Sequence, residues 1–364
     1  MSDSFASSSV VITDVSVPMR GGTSMPARMW KSTGTSQGPC FIHLHGGAAS
    51  MGQHIYMRPW WVEEVVPYGV TVLSPAYPLA PLGNYDKQVT ACQDLYAWTR
   101  ANLSGTARIV VGGTSWGGLL AMVTGQSVFP PPSAIVSMYG ISQLRDYRFA
   151  QEQPDFLNEK NKLSGDNTED EIRGITDKLI AESLRTSRSD NAPVFANLST
   201  DLAEPGILQA LGATDKDALA KSARLQTDIT KVAWRDGRFL EVAIGRAKLC
   251  SDKDWSQVLT SRSPWIRLSA ASPPHLFIHG DHDRIVSHSQ SHAAHDKLQA
   301  LGVESHLIIV PGGDHGCDDD WKVSREMAPR VLVELSSRQT ECEQRSQAGR
   351  LIRRWLEVED GTTD

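Results

Sequence analysis

The stretch VVGGTSWGG, residues 110–118, decides how the chain is to be read. Its valines belong to an apolar run that reads as a strand from Arg108 to Gly112, and LLAMVTGQSV just beyond it reads as a helix. Between the two stands Gly113-Thr114-Ser115-Trp116-Gly117, a G-x-S-x-G pattern at a strand-to-helix turn. A turn that sharp leaves no room for side chains on either side of the serine. The helix behind it aims backbone N–H groups at any negative charge formed there. Without its context the pattern is an ordinary glycine-rich turn, so the rest of the chain must carry the reading.

Working outward, short apolar runs alternate with helical patterns, the signature of strands joined by crossover helices. The expected strands are Val10 to Val17, Ala27 to Lys31, Cys40 to Leu44, Val70 to Ser74, Arg108 to Gly112, Ala134 to Tyr139, His275 to His279 and His306 to Val310. A mostly parallel eight-stranded sheet follows, α/β in class and flanked by helices, with the early strands as an antiparallel edge. Asp86 to Asn102 reads as a crossover helix, turning Val89, Cys92, Leu95, Tyr96 and Trp98 toward a core. One interval breaks the rhythm: about 130 residues separate the strand near Tyr139 from the one near His275, far more than a crossover needs. That interval is charged, yet it carries Phe156, Phe195, Trp234, Phe239, Trp255 and Trp265, so it is not disordered by composition. It is expected to be a mainly helical cap over 141–271, inserted into a core of 1–140 and 272–337, with a C-terminal helix and tail at 338–364. A separate second domain is the alternative.

Composition excludes several classes of function. A net charge of -6 with scattered Lys and Arg supplies no basic stripe for phosphates, so nucleic acid is not an expected partner. Five cysteines without CxxC spacing argue against a disulfide framework or a structural zinc. They point to a reducing, cytoplasmic compartment. There is no basic start followed by an apolar stretch, and no run of about 18 apolar residues that would span a membrane.

A serine hydroxyl is a poor nucleophile near neutral pH and needs a base, with a carboxylate to hold that base in the right tautomer. LFIHGDHDRIV, residues 276–286, ends a strand and places Asp281 and Asp283 in the following loop. LIIVPGGDHGCDDD, residues 307–320, ends the next and offers His315. The chain order Ser, Asp, His is the one expected when all three stand on loops at the carboxyl edge of one sheet. Acyl transfer also requires donors aimed where an oxygen becomes charged. In HLHGGAAS, residues 43–50, Gly46 and Gly47 allow close approach, so the N–H groups of Gly47, Ala48 and Trp116 are the expected oxyanion hole, with His45 and Gly46 shaping the loop. His43 and His45 share a strand face, but no carboxylate or cysteine stands near them in sequence, so no metal is expected there.

These motifs resemble the α/β-hydrolase superfamily, and within it the hormone-sensitive-lipase-like esterases, over about residues 38–140 and 273–336. The HGGG motif of that family corresponds to His45-Gly46-Gly47-Ala48, and its YRLAPE segment to Tyr77-Pro78-Leu79-Ala80-Pro81-Leu82. Its HGxxDxxV motif fits residues 279–286, which selects Asp283 over Asp281, and His315 matches its base. Ala48 replaces the third glycine, Thr114 stands where the family usually has Asp, and Trp116 where it usually has Ala, filling space beside the nucleophile and narrowing the acyl pocket. A similar GxSWGG occurs in proline iminopeptidases. The resemblance implies an α/β-hydrolase fold and a cofactor-independent serine esterase with Ser115, His315 and Asp283 as its triad, acting on a small-molecule ester or acyl substrate. An acyltransferase or cyclase of secondary metabolism on the same fold is the runner-up, and a non-catalytic ligand-binding receptor stands behind it.

Three further features read as structural. His288, His292 and His295 at helical spacing form a solvated or substrate-side face. CDDDW, residues 317–321, places carboxylates at a helix start. Thr340 and Glu343, at capping-box spacing, open a last helix with Leu351, Ile352, Trp355 and Leu356 on its apolar side. That helix either packs on the body or makes a homodimer contact.

Overall fold

The computed structural model describes residues 10–34, 37–55, 57–105, 107–147, 162–185, 216–247, 250–318 and 335–358. Strands β1 (Val10–Pro18), β2 (Ser24–Ser32), β3 (Cys40–Leu44), β4 (Thr71–Pro75), β5 (Ile109–Thr114), β6 (Ala134–Met138), β7 (His275–Gly280) and β8 (Ser305–Val310) form one sheet. Its order is β1-β2-β4-β3-β5-β6-β7-β8. β1 pairs antiparallel with β2 and β2 with β4, and every later pairing is parallel. Each expected strand is present, its ends shifted by a residue or a few. The early ones form the antiparallel edge.

Helices cover both faces, which is why all residues of β3 through β7 are buried, whereas β1 and β8 are partly exposed at the edges. Alternate residues of β5 enter different layers. Ile109 and Val111 join Leu95, Trp116 and Leu119 beneath α2 (Tyr85–Thr99) and α3 (Trp116–Gly125). Val110 joins Phe41, Trp60, Trp61 and Ile352 on the other face. α2 lies where the apolar periodicity puts it, with Cys92, Leu95 and Tyr96 buried and Val89 and Trp98 half-buried. Between β6 and β7 the described residues include three longer helices, which we call α4 (Glu169–Arg185), α5 (Lys216–Arg235) and α6 (Asp252–Arg262). Phe239 is buried there and Trp234, Trp255 and Trp265 are half-buried; Phe156 and Phe195 lie outside the described residues.

Two expectations change near the C-terminus. The last helix begins at Leu335, so Thr340 and Glu343 lie inside it and do not cap its start. Its apolar side packs on the body: Ile352 and Trp355 join the layer with Trp60 and Trp61, and Arg345 and Arg353 pair with Glu64 at 2.9 and 3.0 Å on α1 (Pro59–Val65). The run at 317–321 also differs. Asp318 is fully buried and accepts hydrogen bonds from Trp60 Nε1 at 3.0 Å and Tyr139 Oη at 2.8 Å, so it ties β6 to α1. The helix expected after it lies outside the described residues. Of the three histidines near 290, His288 precedes the helix Ser289–Ala300, its ring 5.5 Å from that of His292, and His295 Nδ1 is 2.8 Å from Ser305 Oγ. No described helix is long and apolar enough to cross a membrane.

Four buried imidazoles make the fold acid-sensitive. Burial pushes His43 down to about 3 and His45, His54 and His275 to about 4, against an ordinary value of 6.5. Folded, they stay neutral until about pH 4, while the unfolded chain takes up protons from 6.5 downward. Stability present above pH 6.5 is therefore lost as pH falls toward 4, by on the order of 1.4 kcal/mol per pH unit for each imidazole. The thermal midpoint is expected to drop steeply over that window. A flat profile between those pH values would contradict neutral burial of these rings.

Candidate active site

Ser115 sits between β5 and α3 with φ 53° and ψ −119°, in the left-handed half of backbone space. A non-glycine residue there costs about 1–3 kcal/mol and persists only where its surroundings over-determine it. Here they do. A Cβ on Gly113 would run into the Gly117 carbonyl, and one on Gly117 into that of Leu44, so only glycine fits on either side. The Ser115 N–H donates to the Met138 carbonyl at 2.8 Å, which pins the turn to the end of β6.

Sheet order brings the loops after β7 and β8 to this turn. His315 Nε2 lies 2.9 Å from Ser115 Oγ, and His315 Nδ1 lies 2.8 Å from Asp283 Oδ2. The Asp283 side chain is fully buried; its Oδ1 accepts from the N–H groups of Ile285 and Val286 at 2.8 Å each. His279 approaches Asp283 Oδ2 at 3.2 Å through Nε2, which is also 2.9 Å from the Val286 carbonyl, while its Nδ1 is 2.7 Å from Ser291 Oγ. Burial alone would raise the Asp283 carboxyl, but hydrogen bonds from His279 and His315 outweigh it and hold the group well below 3.8. With that carboxylate accepting from Nδ1–H, the Nε2 lone pair of His315 faces the serine. Asp281 is elsewhere: its Oδ1 accepts from the Gly312 N–H at 2.7 Å, joining the two loops.

The loop at 46–52 runs past the serine with Gly47, Ala48 and Ala49 all at positive φ. Among the described residues no backbone hydrogen bond outside the helices and strands uses the N–H of Gly47, Ala48 or Trp116. His45 stacks on Tyr77 with centroids 4.1 Å apart, and the Tyr77 hydroxyl donates to the His45 carbonyl at 2.7 Å. His43 lies instead beside Trp61, at 5.4 Å between centroids, so the two histidines face different surroundings. The ring of Trp116 is not on the cavity wall as expected. It is fully buried, 5.8 Å from Phe239, and donates through Nε1 to Gln88 Oε1 at 2.7 Å.

Two braces had no signal in the sequence. Gln88, itself fully buried, donates through Nε2 to the carbonyls of Ala49 and Gly83 at 2.9 and 2.8 Å, so one side chain links Trp116 to the loop that faces the serine. Ser50 Oγ meets Thr230 Oγ1 of α5 at 2.5 Å, tying that same loop to the helices between β6 and β7. The cavity above Ser115 holds about 490 Å³ and takes in His43, Ala48, Tyr139 and His315, with Tyr147 and Trp234 from beyond β6.

Comparison with known proteins places this geometry in context. Residues 41–210 match the family described as alpha/beta hydrolase fold, and residues 248–330 match the prolyl oligopeptidase family. Among curated proteins the chain is similar to the non-reducing polyketide synthase Preu3 of Preussia isomera, 25% identical over 78% of this chain and 11% of that one. It is also similar to the non-reducing polyketide synthase ausA of Aspergillus calidoustus, 26% identical over 81% of this chain and 12% of that one. The chain thus spans about a tenth of the length of the curated relatives it matches. Among solved structures, an esterase of Pyrobaculum calidifontis superposes with a TM-score of 0.57 at 18% identity, covering 96% of this chain and 86% of that one. From its sheet order, the strained serine turn after β5 and these matches, the chain has the α/β-hydrolase fold.

Proposed function

We propose that this chain is a serine hydrolase that cleaves a carboxylic ester through an acyl-enzyme. The observation that carries the reading is the unbroken line from Ser115 Oγ through His315 to Asp283, with spacings of 2.9 and 2.8 Å, at the floor of a cavity large enough for a small-molecule substrate. His315 Nε2 takes the Ser115 proton as Oγ bonds to the ester carbonyl carbon. The negative oxygen that forms is held by the N–H groups of Gly47, Ala48 and Trp116. As the carbon–oxygen bond to the alcohol breaks, His315 returns the proton to the leaving oxygen. Water, deprotonated by the same imidazole, then releases the acid and restores the serine. Asp283 holds the tautomer and stabilises the imidazolium. The sequence's cysteine pattern supports action in the reducing cytoplasm. A fluorophosphonate probe followed by peptide mapping tests the assignment: label on the peptide carrying Ser115 is expected, and label elsewhere or none overturns it.

One observation favours a second reading, acyl transfer or cyclisation. Most of this chain resembles a segment of two polyketide synthases. Helices of the insertion that exclude water would let a bound alcohol compete for the acyl-enzyme. Product partition from an activated acyl donor, with and without hydrophobic alcohols, separates the two. Plain hydrolysis predicts free acid in both.

A further inference from the structure

The cavity above Ser115 has two kinds of lining residue. Met51, Tyr147, Trp234 and Ile285 give it apolar or aromatic lining, and His43, Gln53 and Arg58, which the proposed chemistry does not use, line it as well. His43 is 2% exposed and Gln53 5%, and among the described residues neither ring nitrogen of His43 nor Oε1 of Gln53 has a hydrogen-bond partner. A buried donor or acceptor left unpaired costs about 1–3 kcal/mol, and folded proteins satisfy nearly all of them. Two such side chains on the wall of a cavity that also exposes a nucleophile mark the place of a bound group.

The kind of group follows from what these atoms lack. Burial, His45 and Arg58 together push His43 down to about 3, so its imidazole is neutral and offers one donor and one acceptor. Oε1 of Gln53 is a second acceptor. Arg58 lies with Nε 3.7 Å from the fully buried carboxylate of Asp318, which already opposes its charge. The lining residues therefore include two unpaired acceptors and one unpaired neutral donor, together with a cation whose charge is already opposed. A carboxylate or phosphate only accepts and would leave both acceptors unmet. An alkyl group would meet none of the three. A hydroxyl both donates and accepts, and it carries no charge to desolvate.

We propose that His43 and Gln53 form a subsite for a hydroxyl-bearing arm of the ester, so that the enzyme selects hydroxylated aryl or acyl esters over their unsubstituted counterparts. The inference rests on the hydrolase reading for what is cleaved, but not for what is bound, and the test separates the two. Binding is measured calorimetrically on the full chain carrying Ser115→Ala, with phenyl 3,5-dihydroxybenzoate, 3,5-dihydroxyphenyl benzoate and phenyl benzoate; the first two place the hydroxyls on the acyl and alcohol arms. At least one hydroxylated ester is expected to bind about tenfold more tightly than phenyl benzoate, the value of one net hydrogen bond. Adding Gln53→Leu or His43→Phe is expected to reduce that preference to less than threefold. Thermal unfolding checks each variant, and should His43→Phe fail to fold, Gln53→Leu carries the comparison. Equal affinities for all three esters, or a preference that survives substitution, overturns the subsite. Turnover by the unsubstituted protein is read separately: if it cleaves none of the three while the preference holds, the hydrolase reading falls and the subsite stands.

Discussion

Replacing Ser115 with Ala is expected to lower kcat for short p-nitrophenyl esters by about 10⁶-fold, the scale on which a nucleophile's loss is felt when the members of a triad act as one unit. The substitution removes only Oγ, whose partner here is His315 Nε2 at 2.9 Å. Alanine keeps the same Cβ, so the strain at φ 53° is neither relieved nor increased, and the thermal midpoint is expected to stay within a few degrees. His315→Ala should cost about as much, and the double variant no more than either single one, because each alone already disables proton transfer. Initial-rate kinetics on the three variants check this. Activity near the starting level in Ser115→Ala would overturn the nucleophile assignment whatever the fold.

Exchanging Asp283 for Asn is expected to cost about 10⁴-fold in acylation rate, and the same exchange at Asp281 no more than a few-fold. The two residues stand in one loop, yet their surroundings differ in kind. Asp283 Oδ2 accepts a hydrogen bond from the Nδ1–H of His315, while Oδ1 accepts from the Ile285 and Val286 N–H groups. Those two N–H donors would keep the amide oxygen of Asn on their side and turn its NH₂ toward His315. Nδ1 would then have to accept, and the Nε2 proton would face the serine, the wrong tautomer for a base. At Asp281 the side chain's partner among the described residues is the Gly312 N–H, which an amide oxygen satisfies as well. Pre-steady-state acylation rates for both variants decide it, and the opposite order would mean that the loop register is misread.

Much of this was legible in the residues themselves. The eight strands follow from apolar or alternating runs of β-type length bounded by glycines, prolines and charges; β3 to β7, buried on both faces, are the near-continuous apolar ones. The serine turn is local as well: strand, glycine, serine, glycine and helix occupy consecutive positions, and the steric conflict that demands Gly113 is with Gly117 in that same turn, although the one that demands Gly117 is with Leu44 on β3. The resemblance to the HGxxDxxV motif also pointed to Asp283 rather than Asp281. Periodicity failed where two signals overlapped. Thr340 and Glu343 have the spacing of a helix cap, but helical residues run back to Leu335, so a local pattern compatible with a start lay inside an element already under way.

What local pattern could not supply is who meets whom. Ser115 and His315 are 200 residues apart, and their contact depends on β5, β6, β7 and β8 lying side by side in that order. Nothing in the alternation of apolar and polar residues records the swap that places β4 outside β3. The same holds for the indole of Trp116, expected on the pocket wall but drawn into the core by Gln88, and for Asp318, read as a cap but buried between Trp60 and Tyr139. A buried polar group must find a partner, and the partner is set by three-dimensional neighbours rather than by spacing. The sequence by itself determined the elements, the serine turn and the candidates for its base and acid. Only the tertiary structure decided which donors and acceptors are satisfied and that, among the described residues, the ring nitrogens of His43 and Oε1 of Gln53 are not, because hydrogen-bond pairing depends on distances that the chain acquires when it closes on itself.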